Sequence, residues 1–143
     1  MVSLASLTFF LASLGAGLAF AILFRTPRRF LGPTVGLSLL AIYGDVWLTP
    51  IAPNGFRPFL VALGVSCLSQ TFARLTRHPA QAFLIPGLTI LLPGSHLYKG
   101  FSAILDSSIG DASREFGLVL ASACSISFAV LLGNWLIPTK RDL

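Results

Sequence analysis

The residues best placed to do chemistry lie in Leu84-Ile-Pro-Gly-Leu-Thr-Ile-Leu-Leu-Pro-Gly-Ser95. Two Pro-Gly pairs, Pro86-Gly87 and Pro93-Gly94, stand seven residues apart, about two helical turns, so both face nearly the same way on a helix. Each proline lacks an N–H and clashes with the carbonyl four residues back, which here belongs to Ala82 or Thr89. The residues before them, Ile85 and Leu92, are pushed toward extended geometry. This pattern predicts a helix that unwinds at both pairs. Freed N–H groups suit a carboxylate, and freed carbonyls suit an ammonium or a cation. Thr89, Ser95, His96 and Tyr98 add polar side chains to the same stretch. The candidate substrate-binding residues are therefore Pro86, Gly87, Thr89, Pro93, Gly94, Ser95, His96 and Tyr98. The bland alternative is a kinked structural helix whose neighbours satisfy its carbonyls.

Two titratable side chains accompany that stretch. Asp45, in Ile-Tyr-Gly-Asp-Val-Trp, is the one carboxylate inside an apolar segment and the candidate for proton coupling. Its other reading is an interfacial aspartate beside the belt residue Trp47. Histidine changes charge near neutral pH, so His96 has two readings, in transport or as a hydrogen-bonded helix residue. Gln70 and Asn134 are read as interhelical glue, and the pairs Gly15/Ala19, Gly32/Gly36 and Ala121/Ser125 as packing positions, internal or with a partner.

Catalytic patterns are absent: there is no G-x-S-x-G, no H-E-x-x-H and no phosphate-cradling loop. Two histidines and five acidic residues offer no metal cluster, and Cys67 and Cys124 read as small apolar fillers. An enzyme is not expected, nor a cofactor or metal.

The elements that carry these residues follow from composition. The chain has 143 residues, 55% hydrophobic and only 10% charged, with mean hydropathy +0.83. A soluble domain typically carries about 25% charged residues, so lipid is the natural solvent here. A spanning helix needs roughly 20 apolar residues. Five segments qualify, about 3–24, 30–49, 58–73, 80–105 and 116–137, and they fill a single transmembrane domain over 1–143. The segment Pro58 to Ala73 is short, with Arg57 and Arg74 expected to snorkel outward. Asp106 to Glu115 reads as a polar connector. The expected fold is all-α and polytopic, with the fourth helix broken.

Net charge is +5. The basic residues sit between apolar segments, which points to the membrane surface rather than nucleic acid. With the N-terminus outside, Arg25, Arg28, Arg29, Arg74, Arg77, Lys140 and Arg141 fall inside and Arg57, Lys99 and Arg114 outside, as the positive-inside rule asks. The C-terminus is then cytoplasmic. A weak internal echo places Pro27, Phe30, Pro33 and Tyr43 some 52 to 55 residues before Pro79, Phe83, Pro86 and Tyr98.

The run His-Pro-Ala-Gln-Ala-Phe-Leu-Ile-Pro-Gly-Leu-Thr-Ile-Leu-Leu-Pro-Gly-Ser-His-Leu-Tyr-Lys-Gly-Phe resembles the small membrane subunit of the threonine/serine exporter family, at Pro79, Pro86, Gly87, Pro93, Gly94, Ser95 and Tyr98. The earlier Phe-Arg-Thr-Pro-Arg-Arg-Phe-Leu-Gly-Pro-Thr-Val-Gly-Leu is similar to that family's first cytoplasmic loop. The resemblance implies an inner-membrane secondary transporter exporting small hydroxy-amino acids, or dicarboxylates such as succinate. It also implies that the chain acts as the C-terminal half of a ten-span exporter beside a second five-span membrane subunit. Asp45 matches no motif of that family. A proton gradient is the expected driver. A non-transporting scaffold, with or without self-association, and a homo-oligomeric channel are the readings from other classes.

Overall fold

The computed structural model describes residues 4–53 and 56–137. Ser3, Asn54, Gly55, Pro138, Lys140 and Arg141 lie outside the described residues. Among those described, the secondary structure is all-helical: α1 (Leu4–Leu23), a 3-10 turn (Arg28–Phe30), α2 (Leu31–Leu48), α3 (Arg57–Thr76), α4 (Gln81–Thr89), α5 (Gly94–Leu105) and α6 (Ile109–Leu136).

Among the described residues, three helical stretches are long and apolar enough to cross a membrane: Arg28–Leu48, Arg57–Thr76 and Ile109–Leu136. Leu7–Leu23 is a shorter apolar stretch. The expected fourth span is divided between α4 and α5, of 9 and 12 residues, which rise only about 14 and 18 Å. Large apolar side chains such as Ile22, Leu23, Trp47, Leu120, Leu131 and Trp135 are exposed, as lipid-facing groups are.

The helix ends have local causes. Pro33 and Pro58 fall in the first turns of α2 and α3, where a missing N–H costs nothing. α1 and α3 both end on arginines in the left-handed region, Arg25 and Arg77, each with φ 53°. There the amides of Thr26 and His78 reach back to the carbonyls of Ala21 and Ala73 at 2.9 and 3.2 Å. These two arginines stand 52 residues apart, the spacing of the internal echo.

One expectation is corrected here. The polar connector at Asp106 to Glu115 shrinks to a turn: α6 already begins at Ile109, and Asp111 in its first turn complements the positive end of the helix. At Gly15, Gly32 and Gly36 a Cβ would meet nothing within 4 Å inside the protein, which leaves a partner as the alternative for the packing read there. The close approaches are elsewhere. A Cβ on Gly17 would sit 3.1 Å from Ser38, on Gly87 3.1 Å from Val65, on Gly100 3.1 Å from Phe116, and on Gly133 2.7 Å from the Ser66 Cβ.

These contacts set the directions of the helices. Phe83 packs on Phe30 and Phe72, and further along α4, Gly87 meets Leu37 and Val65, so α4 runs antiparallel to α3. Ala62, Ile126 and Ala129 share one buried cluster, Ser66 faces Gly133, and Gln70 donates to Asn134 at 3.0 Å. α6 therefore runs parallel to α3. The hydrogen bond between Gln70 and Asn134 is the interhelical tie that their residue types suggest. α5 packs on the first half of α6, with Phe101 edge-on to Phe116 at 5.4 Å.

Candidate functional site

The interruption between α4 and α5 positions the site. α4 runs through Pro86 and Gly87 without unwinding. Both residues are buried, and the lack of a side chain on Gly87 lets α4 lie against α3, so packing holds the helix together past the proline. The chain leaves helical geometry only beyond Thr89, and Pro93 is the residue from which α5 starts, with no side-chain cap. The carbonyl freed by Pro93 is not left bare: Thr89 O accepts the Leu92 amide at 3.3 Å, and Gly94 donates to Leu92 O at 2.7 Å. The Thr89 hydroxyl donates back to Ile85 O at 2.7 Å.

A cleft of about 310 Å³ opens on this interruption, a size suited to a small solute. It is lined by Ile90 to Pro93, by Ser95 and His96 of α5, by Asp45 of α2, by Arg57 of α3 and by Ser122 of α6. Of the sequence candidates, the structure brings Asp45, Pro93, Ser95 and His96 together. It places Pro86 and Gly87 in the helix-packing core, turns Thr89 onto its own helix, puts Gly94 in the first turn of α5 and leaves Tyr98 exposed on the outside of α5.

Two residues absent from the sequence candidates act here, one lining the cleft and one holding a residue that does. The first is Arg57. Its Nη1 donates to Thr49 Oγ1 at 2.7 Å, and that hydroxyl donates to Asp45 O at 3.0 Å. Its Nε lies 3.8 Å from Asp45 Oδ1, a charge contact too long for a hydrogen bond. The same Nε is buried without a hydrogen-bond partner. The arginine side chain is only 18% exposed, so it lies along the cleft rather than snorkelling outward. The second is Glu115, whose Oε2 lies 2.6 Å from His96 Nδ1 and ties α5 to α6.

At the opposite end of α2 and α3 the basic loops meet. Arg29 lies 2.9 Å from His78 Nε2, and its guanidinium stacks over Phe30 at 4.7 Å. Arg25, Arg28 and Arg77 in the loops and Arg74 in the last turn of α3 share this end. Among the described residues no cluster of His, Cys, Asp or Glu has the makings of a metal site.

The arrangement can bind a small charged solute: one guanidinium, one carboxylate and one imidazole line the cleft at the interruption between α4 and α5.

Comparison with known proteins gives the family. The sequence model described as "Threonine/Serine exporter, ThrE" matches residues 8–136. A "Threonine/serine exporter" of Corynebacterium glutamicum is 28% identical over 96 residues, 67% of this chain and 19% of that protein. An "sn-glycerol-3-phosphate transport system permease protein UgpE" of Yersinia enterocolitica is 31% identical over 67 residues, 47% of this chain and 23% of that protein. The chain thus spans about a fifth of the length of the curated relatives it matches. No solved structure matches it. By the extent of the family match, this multi-pass plasma-membrane protein belongs to the threonine/serine exporter family, a family of transporters and not of enzymes.

Proposed function

We propose that the chain is one subunit of a secondary transporter that exports small amino acids such as threonine and serine, working with a second membrane subunit. The observation that carries this reading is the convergence of Arg57 and Asp45 on the cleft at the α4–α5 interruption. A zwitterion presents one carboxylate and one ammonium. The Arg57 guanidinium, which lines the cleft, is a donor for the first, supplemented by the uncapped N-terminus of α5. Asp45 is an acceptor for the second. A dicarboxylate such as succinate is served less well, because its second carboxylate meets Asp45 instead of a second cation.

In this reading α1, α2, α3, the α4–α5 pair and α6 make five passes. The basic loops lie in the cytoplasm, the N-terminus outside and the C-terminus inside. The cleft lies at the end of α2 and α3 away from those loops, so this conformation opens outward. Asp45 takes either a proton or the substrate's ammonium, and that competition couples export to the proton gradient. Alternating access then passes the site from one face to the other.

The test is efflux of labelled threonine, serine and succinate from cells or vesicles. The chain alone is compared with the chain plus a co-expressed partner subunit. Partner-dependent, proton-driven efflux of the amino acids supports the proposal. Efflux from the chain alone, indifferent to pH, supports a channel, and no efflux with any partner supports a scaffold.

A further inference from the structure

The role of Glu115 follows from what it does to His96. A carboxylate oxygen accepts, so the 2.6 Å contact puts a proton on His96 Nδ1. The same contact fixes the ring's rotation, because the second nitrogen must then point away from α6. His96 lines the cleft, and Nε2 has no protein partner among the described residues. The pair is half-sheltered, with side chains 30% and 21% exposed, so Nε2 is partly desolvated. In the neutral ring it is a bare acceptor on a residue that lines the cleft. The other charged groups around it are already engaged or differently placed. Asp45 and Arg57 face each other across the same cleft, while Lys99 and Arg114 are exposed on α5 and α6.

We propose that His96, held by Glu115 as its positioning residue, reads the side-chain hydroxyl of the substrate. This deepens the zwitterion site above and rests on it. With the carboxylate on Arg57 and the ammonium on Asp45, the side chain of a bound amino acid is the remaining group free to meet α5. A serine or threonine hydroxyl gives Nε2 a hydrogen bond. Alanine or 2-aminobutyrate fills nearly the same volume and leaves Nε2 unpaired. Sites that hydrogen-bond a substrate hydroxyl discriminate far more strongly than apolar pockets, because the analogue strands their polar group.

The experiment measures efflux of serine against alanine, and of threonine against 2-aminobutyrate, with the full chain and its co-expressed partner. Wild type is expected to favour the hydroxylated member by about tenfold or more. His96→Leu abolishes that ratio. His96→Gln, whose amide reaches where Nε2 stands, restores part of it. Glu115→Leu lowers the ratio several-fold by freeing the ring. A purely structural pair would depress both members alike and leave the ratio where it was. An unchanged ratio in His96→Leu, or equal loss of serine and alanine efflux, overturns the assignment while leaving the transporter reading intact. A wild type that moves neither member of either pair overturns the transporter reading itself.

Discussion

Arg29 and His78, 49 residues apart, meet at 2.9 Å and fasten the loop after α1 to the loop after α3. A guanidinium only donates, so Nε2 of His78 must be bare, and Nδ1 then carries the proton that goes to Thr76 O at 2.7 Å. Phe30 supports both partners, with its ring 4.5 Å from His78 and under the Arg29 guanidinium. Replacing His78 with Arg puts two cations where one donor met one acceptor. His78→Arg should lower the melting temperature in detergent, whereas His78→Gln, which still offers an acceptor, should lie nearer wild type. Equal melting temperatures for all three would mean that the loops are held by something else.

Gly133 and Ser66 meet in close contact between α3 and α6. A Cβ on Gly133 would overlap the Ser66 hydroxyl and stand 2.7 Å from its Cβ. That hydroxyl is buried without a hydrogen-bond partner, whereas Ser38, Ser122 and Ser127 donate to the carbonyl four residues back. Gly133→Ala should therefore cost about 1–3 kcal/mol through overpacking, read as loss of folded protein on heating or denaturant titration in detergent. Ser66→Gly in the same chain should return most of it, and a double variant no better than Gly133→Ala would place the strain elsewhere.

Much of this architecture is legible in the sequence because lipid admits few solutions. Charge-poor runs near 20 residues must be helical, and Arg or Pro-Gly clusters mark their ends. What escaped is tertiary. Pro86 and Pro93 look alike along the chain, yet Gly87 packs against Val65 and carries α4 past the first proline, while the chain leaves the helix before the second. Arg57 reads as a snorkelling flank until Thr49 and Asp45 are seen to hold it along the cleft. Glu115 lies 19 residues after His96, and only the α5–α6 hairpin makes them neighbours. A charged residue inside an apparent connector was the available signal, and the helical continuity from Asp111 to Glu115 the missing step.

Pro93 and Arg57 separate the backbone and side-chain contributions to the site. Pro93→Ala restores an N–H and removes the ring that stops a helix. It should let α4 and α5 draw toward one continuous helix and reduce efflux at least tenfold, with the protein still folded. Arg57→Lys keeps the charge but loses the planar fork, so it should raise the substrate concentration needed for half-maximal transport more than it lowers the maximal rate. Concentration-dependent efflux with each variant checks both. Wild-type kinetics in Arg57→Lys would remove the carboxylate from that position.

Orientation can be read from two positions on opposite ends of α2. Ile51 is exposed beyond its C-terminal end, and Arg28 is exposed in the basic turn before its start. After replacing Cys67 and Cys124 with alanine, single variants Ile51→Cys and Arg28→Cys would be treated with a membrane-impermeant maleimide. Ile51→Cys should label in intact cells, and Arg28→Cys only once the membrane is opened. The reverse pattern would put the basic loops outside, turn the cleft toward the cytoplasm, and make this conformation the one that loads substrate rather than the one that releases it.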